Sequence, residues 1–201
     1  MLSFVLDTNL FINLQRPLEI GGSIGAVLKE IIALSSPLVK AQKIEIITSP
    51  SALEELSAFY SAEDSTLLLE LKKILTVTSP DLTTTQTSAV LFYDLVKEIG
   101  VRLYKGLRVA EEPLKQAIMN PSDDHRALAE KYVTDLRLKY RKATREGFID
   151  STIDLELIYL ALNKKAAIVT SDKGLISWGR RFGCTEVLPE VFIQKLQALK
   201  S

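Results

Sequence analysis

The chain has 201 residues, 47% hydrophobic and 25% charged, the composition of a soluble globular protein with room for one large core and an inserted subdomain. Lys+Arg and Asp+Glu both total 25, so the net charge is zero; bulk attraction to nucleic acid is excluded, and any such binding must come from local asymmetry. One cysteine excludes an intrachain disulfide, one histidine fits neither a His/Cys zinc site nor a Ser-His-Asp triad, and no apolar run approaches the roughly 20 residues that span a bilayer.

The N-terminus enters a strand without a basic leader region, which together with the lone cysteine implies a cytoplasmic protein. Phe4 to Asp7 reads as a first strand, apolar until it ends at a carboxylate. Thr8 and Asn9 follow as turn or cap residues whose side chains bond backbone amides and so fix that carboxylate. A polar loop, Gln15 to Gly22, precedes a helix from Ile24 to Leu34 that ends near Pro37. Lys43 to Thr48 is a second strand, and Ser49-Pro50-Ser51 starts a helix bearing Glu54 and Glu55. On spacing alone Glu55 is a surface charge; it becomes a candidate accessory acid because the strand before it can lie beside the first. Asp64 to Ile74 is a further helix, and Thr76 to Thr78 a weak third strand.

Between Gln86 and Gly147 no strand signal appears. Two helical blocks flank Asn120-Pro121-Ser122-Asp123-Asp124, a turn and N-cap, and predict an antiparallel helical hairpin. The first block has an apolar face through Val90, Tyr93, Leu95, Val96, Ile99 and Leu103; the second buries Ala129, Tyr132, Leu136 and Tyr140. Arg137, Arg141 and Arg145 recur at four-residue intervals beside Lys139 and Lys142, a stripe shaped for a phosphate backbone or, more plainly, a solvated face. Glu45 to Leu71 holds six acids and no Lys or Arg, whereas Lys131 to Glu146 holds six Lys/Arg against two acids, so the chain has the local asymmetry its net charge lacks.

The cations end where carboxylates begin. Asp150 and Asp154 stand four residues apart, with Asp150 as N-cap and Ser151 opening a helix through Leu155, Ile158 and Leu162. An N-cap and a solvated Asp would account for that pair. The strand Ala167 to Thr170 then ends at Asp172, in the same grammar as Asp7. Parallel strands side by side would bring Asp7 and Asp172 to one sheet edge, with the Asp150/Asp154 helix beside them. Carboxylates converging without cations repel in a desolvated cleft. A hard divalent ion removes the conflict: Mg²⁺, with Mn²⁺ the alternative. The implied chemistry is metal-assisted phosphodiester hydrolysis. Gly174 allows a tight turn, Leu175 to Arg181 is a short helix packing Trp178, Thr185 to Leu188 is the last strand, and Val191 to Leu199 the C-terminal helix. His125, Cys184 and Met119 read as structural.

Strand-Asp-Thr-Asn at the start, a Glu on the helix after the second strand, and a late helix-strand unit ending in T-S-D resemble the PIN-domain nucleases. K-G-L-R-V-A-E-E at Lys105 to Glu112, L-R-L-K-Y-R-K-A-T-R-E-G-F-I-D-S-T-I-D at Leu136 to Asp154 and S-D-K-G-L-I-S-W at Ser171 to Trp178 resemble one branch: the small protein-only ribonuclease P family known as HARP, the homologs of Aquifex RNase P. The resemblance covers the first strand and most of the chain beyond Leu91, and is weak from Gln15 to Ser79. It implies an α/β, PIN-like three-layer fold with a central mostly parallel sheet, residues 1–84 and 147–201 forming the catalytic domain. A helical hairpin inserted at 85–146 would serve oligomerisation and RNA binding. The implied function is an RNA-free ribonuclease P, a Mg²⁺-dependent endonuclease that removes the 5′ leader from precursor tRNA. A homo-oligomer built through the hairpin would hold the tRNA, with no membrane or DNA partner.

Asp7, Asp150, Asp154 and Asp172 match the family's catalytic, metal-holding acids. Glu156, also a candidate accessory acid, stands where the family usually has Asp. It lies about 200° around an ideal helix from Asp154, which counts against direct ligation. Arg137, Lys139, Arg141, Lys142 and Arg145 fall in the family's basic helix, where RNA contact is the implied role. Two alternatives keep the same fold: another PIN-domain ribonuclease of the VapC-like toxin type, and a non-catalytic RNA-binding scaffold.

Overall fold

Short parallel strands that are mostly apolar on both sides need both faces of their sheet covered, and that requirement organises this chain. The computed structural model describes residues 1–12, 24–59, 65–119, 124–149 and 151–200. Strands β1 (Leu2–Leu6), β2 (Ile44–Thr48), β3 (Leu75–Val77), β4 (Ala167–Val169) and β5 (Glu186–Val187) form one all-parallel sheet in the order β3-β2-β1-β4-β5. The helices are α1 (Asn9–Ile12), α2 (Ile24–Lys40), α3 (Pro50–Ala58), α4 (Ser65–Lys72), α5 (Ala89–Met119), α6 (His125–Arg145), α7 (Thr152–Lys164), α8 (Lys173–Arg181) and α9 (Pro189–Lys200).

Strand periodicity assigns the two faces. Phe4, Leu6, Ile44, Ile46 and Val169 join the cluster made with Leu28, Ile31, Leu71, Phe192 and Leu196 of α2, α4 and α9, where Phe4 and Phe192 meet edge-on at 5.1 Å. Val5 and Ile168 point the other way, where α7 packs on β1 and β4 and α8 packs on α7. In the register of β1 and β4, Leu6 stands opposite Val169, so Asp7 and Thr170 leave the sheet side by side.

The chain separates into two compact units, Met1–Thr85 with Ile149–Ser201, and Gln86–Phe148. The sheet belongs to the first and the α5/α6 hairpin to the second. Gly106 marks the closest approach within the hairpin: a Cβ there would lie 2.7 Å from Tyr140 Cε2 and 3.0 Å from Thr144 Cγ2. One turn earlier, the Arg102 guanidinium donates to Glu98 at 2.9 Å and to the carbonyls of Thr144 and Glu146 at 3.2 and 3.1 Å, and lies 4.6 Å from the centre of the Phe148 ring. It thereby satisfies carbonyls that the end of α6 leaves without intrahelical partners.

Several expectations are corrected here. Of the residues expected to be buried on the second block, Ala129 is exposed, Tyr140 is 44% exposed, and Tyr132 and Leu136 are half-buried; the apolar face of the first block is exposed at Val90, Tyr93, Val96, Ile99 and Leu103 and half-buried at Leu95. Two helices can cover only one stripe on each other, and on α5 that stripe runs through Arg102, Gly106 and Pro113. Helix α2 does not stop near Pro37 but continues to Lys40. Its N-cap hydroxyl bonded to Ile153 N at 3.0 Å, Ser151 rather than Asp150 caps α7. Gly174 makes no turn: α8 starts at Lys173 and buries it. The expected loop from Gln15 to Gly22, the helix start at Asp64, residues 120–123 of the expected turn, and Asp150 lie outside the described residues.

Candidate active site

The carboxyl edge of the sheet is built by strand ends. Asp7 follows β1 directly, its amide donating to Val169 O of β4 at 3.2 Å. Its side chain is only 2% exposed. Oδ1 accepts from Asn9 N at 3.3 Å and lies 3.4 Å from the Thr8 hydroxyl oxygen, while Oδ2 accepts from the Thr170 hydroxyl at 2.5 Å. The expectation that Thr8 and Asn9 fix the Asp7 carboxylate by bonding backbone amides is corrected: the Asn9 amide binds it directly, and the Thr8 hydroxyl donates to a second carboxylate, Glu55.

Two further acids attach to this point. Thr8 Oγ1 donates to Glu55 Oε2 at 2.9 Å, so α3 reaches the end of β1 through one hydroxyl. On the other side Thr170 Oγ1 accepts from Asp172 N at 2.9 Å. Asp172 caps α8, its Oδ1 accepting from Leu175 N at 2.7 Å. Contacts therefore run from Glu55 through Thr8, Asp7 and Thr170 to Asp172; the single Thr8 proton goes to Glu55, the shorter contact at 2.9 Å, and the same oxygen lies 3.4 Å from Asp7 Oδ1. Thr170 is the member that sequence reasoning missed. Its signal was a hydroxyl two residues before Asp172, at the strand end directly opposite Asp7.

Burial pushes the Asp7 carboxyl above the ordinary carboxylate range, and the charge of Asp172 adds to it; hydrogen bonds from Thr170 and Asn9 act in the opposite sense. Among the described residues no Lys or Arg forms an ion pair with Asp7 or Asp172. A buried charge with carboxylate neighbours and oxygen donors only is the chemistry a hard divalent cation fits. Among the described residues no three His, Cys, Asp or Glu side chains stand together as a metal-holding group.

The remaining candidates are distributed as follows. Asp154 occupies the first turn of α7, half-buried. Glu156, also half-buried, accepts from Ser51 Oγ of α3 at 3.2 Å. Arg137, Lys139, Arg141, Lys142 and Arg145 are exposed on α6, in the Gln86–Phe148 unit, and Lys139 pairs with Asp135 at 2.7 Å. Cys184 is structural as read: its thiol donates to Ile158 O at 3.6 Å, and burial pushes it up to about 11. No helix among the described residues is long and apolar enough to cross a membrane.

Residues 3–201 match the family model described as PINc domain ribonuclease. Proteins similar over nearly the whole chain carry the name RNA-free ribonuclease P. One from Thermodesulfovibrio yellowstonii is 34% identical over 94% of this chain and 90% of its own length. One from Thermococcus kodakarensis is 30% identical over 98% and 96%, and one from Pyrococcus horikoshii 32% identical over 91% and 85%. With an acid-bearing edge on an all-parallel sheet and matches that run from end to end, the chain belongs to the PINc-domain ribonucleases and, among them, to the RNA-free ribonuclease P family.

Proposed function

We propose that this protein is an RNA-free ribonuclease P that hydrolyses precursor tRNA at the 5′ end of the mature sequence, releasing the leader. The observation that carries the reading is Asp7, a carboxylate buried at the end of a parallel strand with its charge opposed by burial and by Asp172. Asp7, Asp154 and Asp172 would hold Mg²⁺, with Mn²⁺ as the alternative, and Asp150 would join them or orient the attacking water. When bound, such an ion lowers the pKa of water and stabilises charge developing on the scissile phosphate.

The chain's own groups orient these acids. Thr170 and the Asn9 amide hold the two oxygens of Asp7, and capping of α8 sets the direction of Asp172. The exposed cations of α6, Arg137, Lys139, Arg141, Lys142 and Arg145, support a role in holding the RNA backbone. The exposed apolar side chains of α5, among them Phe92, Tyr93, Leu103, Tyr104 and Leu107, support self-association through the Gln86–Phe148 unit into a homo-oligomer. A cytoplasmic, tRNA-directed enzyme without DNA or membrane partners follows from this reading.

The test is to incubate purified protein with end-labelled precursor tRNA and Mg²⁺ and to map the cut. Release of the 5′ leader at the mature end is expected, abolished by EDTA and slowed by Asp7→Asn at least about a hundredfold, since even outer partners of a metal site are worth 10–100-fold. Cleavage in a loop or single-stranded sequence would instead identify another PIN-type ribonuclease. Binding that persists in EDTA, with no cleavage under any divalent ion, would identify a scaffold.

A further inference from the structure

Glu156 is a carboxylate near the acidic edge whose position on α7 does not match that of Asp154. Two residues along a helix turn the side chain by about 200°, so the two acids leave α7 in nearly opposite directions. Glu156 meets α3 instead. Its Oε1 accepts from Ser51 Oγ at 3.2 Å, in the first turn of a nine-residue helix that Ser49 caps by accepting from Ala52 N at 3.1 Å. A carboxylate at that end is favoured by the helix dipole as well as by the hydroxyl.

Ser51 and Glu55 are four residues apart on α3 and therefore share a face. Glu55, one turn further on, takes its hydrogen bond from Thr8, which also reaches Asp7. Buried Ala52 and Leu56 seat α3 on the core, but apolar contact is non-directional and leaves rotation about the helix axis weakly fixed. Directed bonds fix it: Glu156 to Ser51 at the start of the helix, Thr8 to Glu55 a turn later.

We propose that Glu156 is a positioning residue, a strut from α7 that sets the orientation of α3 so that Glu55 takes the Thr8 proton and holds the Thr8 hydroxyl beside Asp7. Its work is done through the acceptor oxygen rather than through a charge presented to a cation. The proposal rests on the nuclease reading only for its effect on rate; the strut itself is a property of the metal-free protein.

The experiment compares Glu156→Gln, Glu156→Ala, Ser51→Ala and the double alanine variant, by hydrogen exchange in EDTA and by single-turnover cleavage of precursor tRNA across a Mg²⁺ series. In EDTA, exchange at the amides of Ala52 and Leu53 is expected to accelerate about tenfold in either alanine variant and no further in the double, because one interaction has been removed in each. Glu156→Gln, which keeps the acceptor, stays within about threefold of wild type in both measurements. Either alanine variant lowers the maximal rate about tenfold, as loss of an outer support does, with KM and the Mg²⁺ midpoint unchanged. Unchanged exchange in the alanine variants overturns the strut. A rate as low in Glu156→Gln as in Glu156→Ala, with a raised Mg²⁺ midpoint and a neutral Ser51→Ala, also overturns it and makes Glu156 a ligand. A wild-type protein that cleaves no precursor tRNA refutes the nuclease reading, while the exchange data still decide the strut.

Discussion

Burial of the Asp7 carboxylate and the nearby charge of Asp172 raise its proton affinity in the folded protein, so ionisation of that group works against folding. A carboxyl whose folded value lies above its unfolded one contributes stability while protonated. That contribution is lost as pH rises from about 4, the unfolded value, through the higher folded value. In EDTA, wild type should therefore lose melting temperature relative to Asp7→Asn between mildly acidic and neutral pH, with the variant the more stable at neutrality. Mg²⁺ should raise the melting temperature of wild type and leave that of the variant unchanged, since only a ligand bound to the folded state stabilises it. Scanning calorimetry at several pH values checks both. A variant that melts below wild type in EDTA at neutral pH would show that burial of this charge is already compensated within the protein.

At the scale of elements, the hairpin depends on a close approach. Gly106→Leu should destabilise the protein by about 1–3 kcal/mol, the usual cost of overpacking. For Gly106→Ala the new Cβ meets the edge of the partly exposed Tyr140 ring, which can swing outward, and a gain in helix propensity of about 1 kcal/mol offsets the collision. Chemical denaturation of the two variants separates these outcomes; equal stability of both with wild type would mean that the helices do not pack so closely. The sequence could not show this seam because α5 carries apolar residues around most of its circumference, so periodicity pointed to Val90, Tyr93 and Ile99, which are exposed. It located the chain positions of Asp7 and Asp172 because Phe4 to Leu6 and Ala167 to Val169 are apolar at every residue and these runs end abruptly. Pro37 misled for an energetic reason. An interior proline costs about 3 kcal/mol, burial of Leu38 returns about 1.5–3, and α2 continues for one more turn. Ser51 was illegible because its partner is 105 residues away, and Thr170, whose partner is 163 residues away, showed only as a hydroxyl at a strand end.

For the molecule as a whole, zero net charge makes RNA affinity a matter of where the cations stand. Replacing Arg137 and Arg141 with Gln should weaken precursor-tRNA binding and reduce the salt dependence of log affinity by about 0.7–1 per residue, leaving the single-turnover rate at saturation unchanged. Filter binding across a salt series checks this, and an unchanged slope would remove the α6 stripe from the RNA interface. The central claim, that Asp7 presents its carboxylate to a hard cation during RNA cleavage, is tested most directly by cleavage of precursor tRNA by Asp7→Cys in Mg²⁺ and in Cd²⁺. A thiolate prefers softer ions, so activity should be lost in Mg²⁺ and return in part when Cd²⁺ replaces it. Cleavage by Asp7→Cys at the wild-type rate in Mg²⁺ would contradict the account.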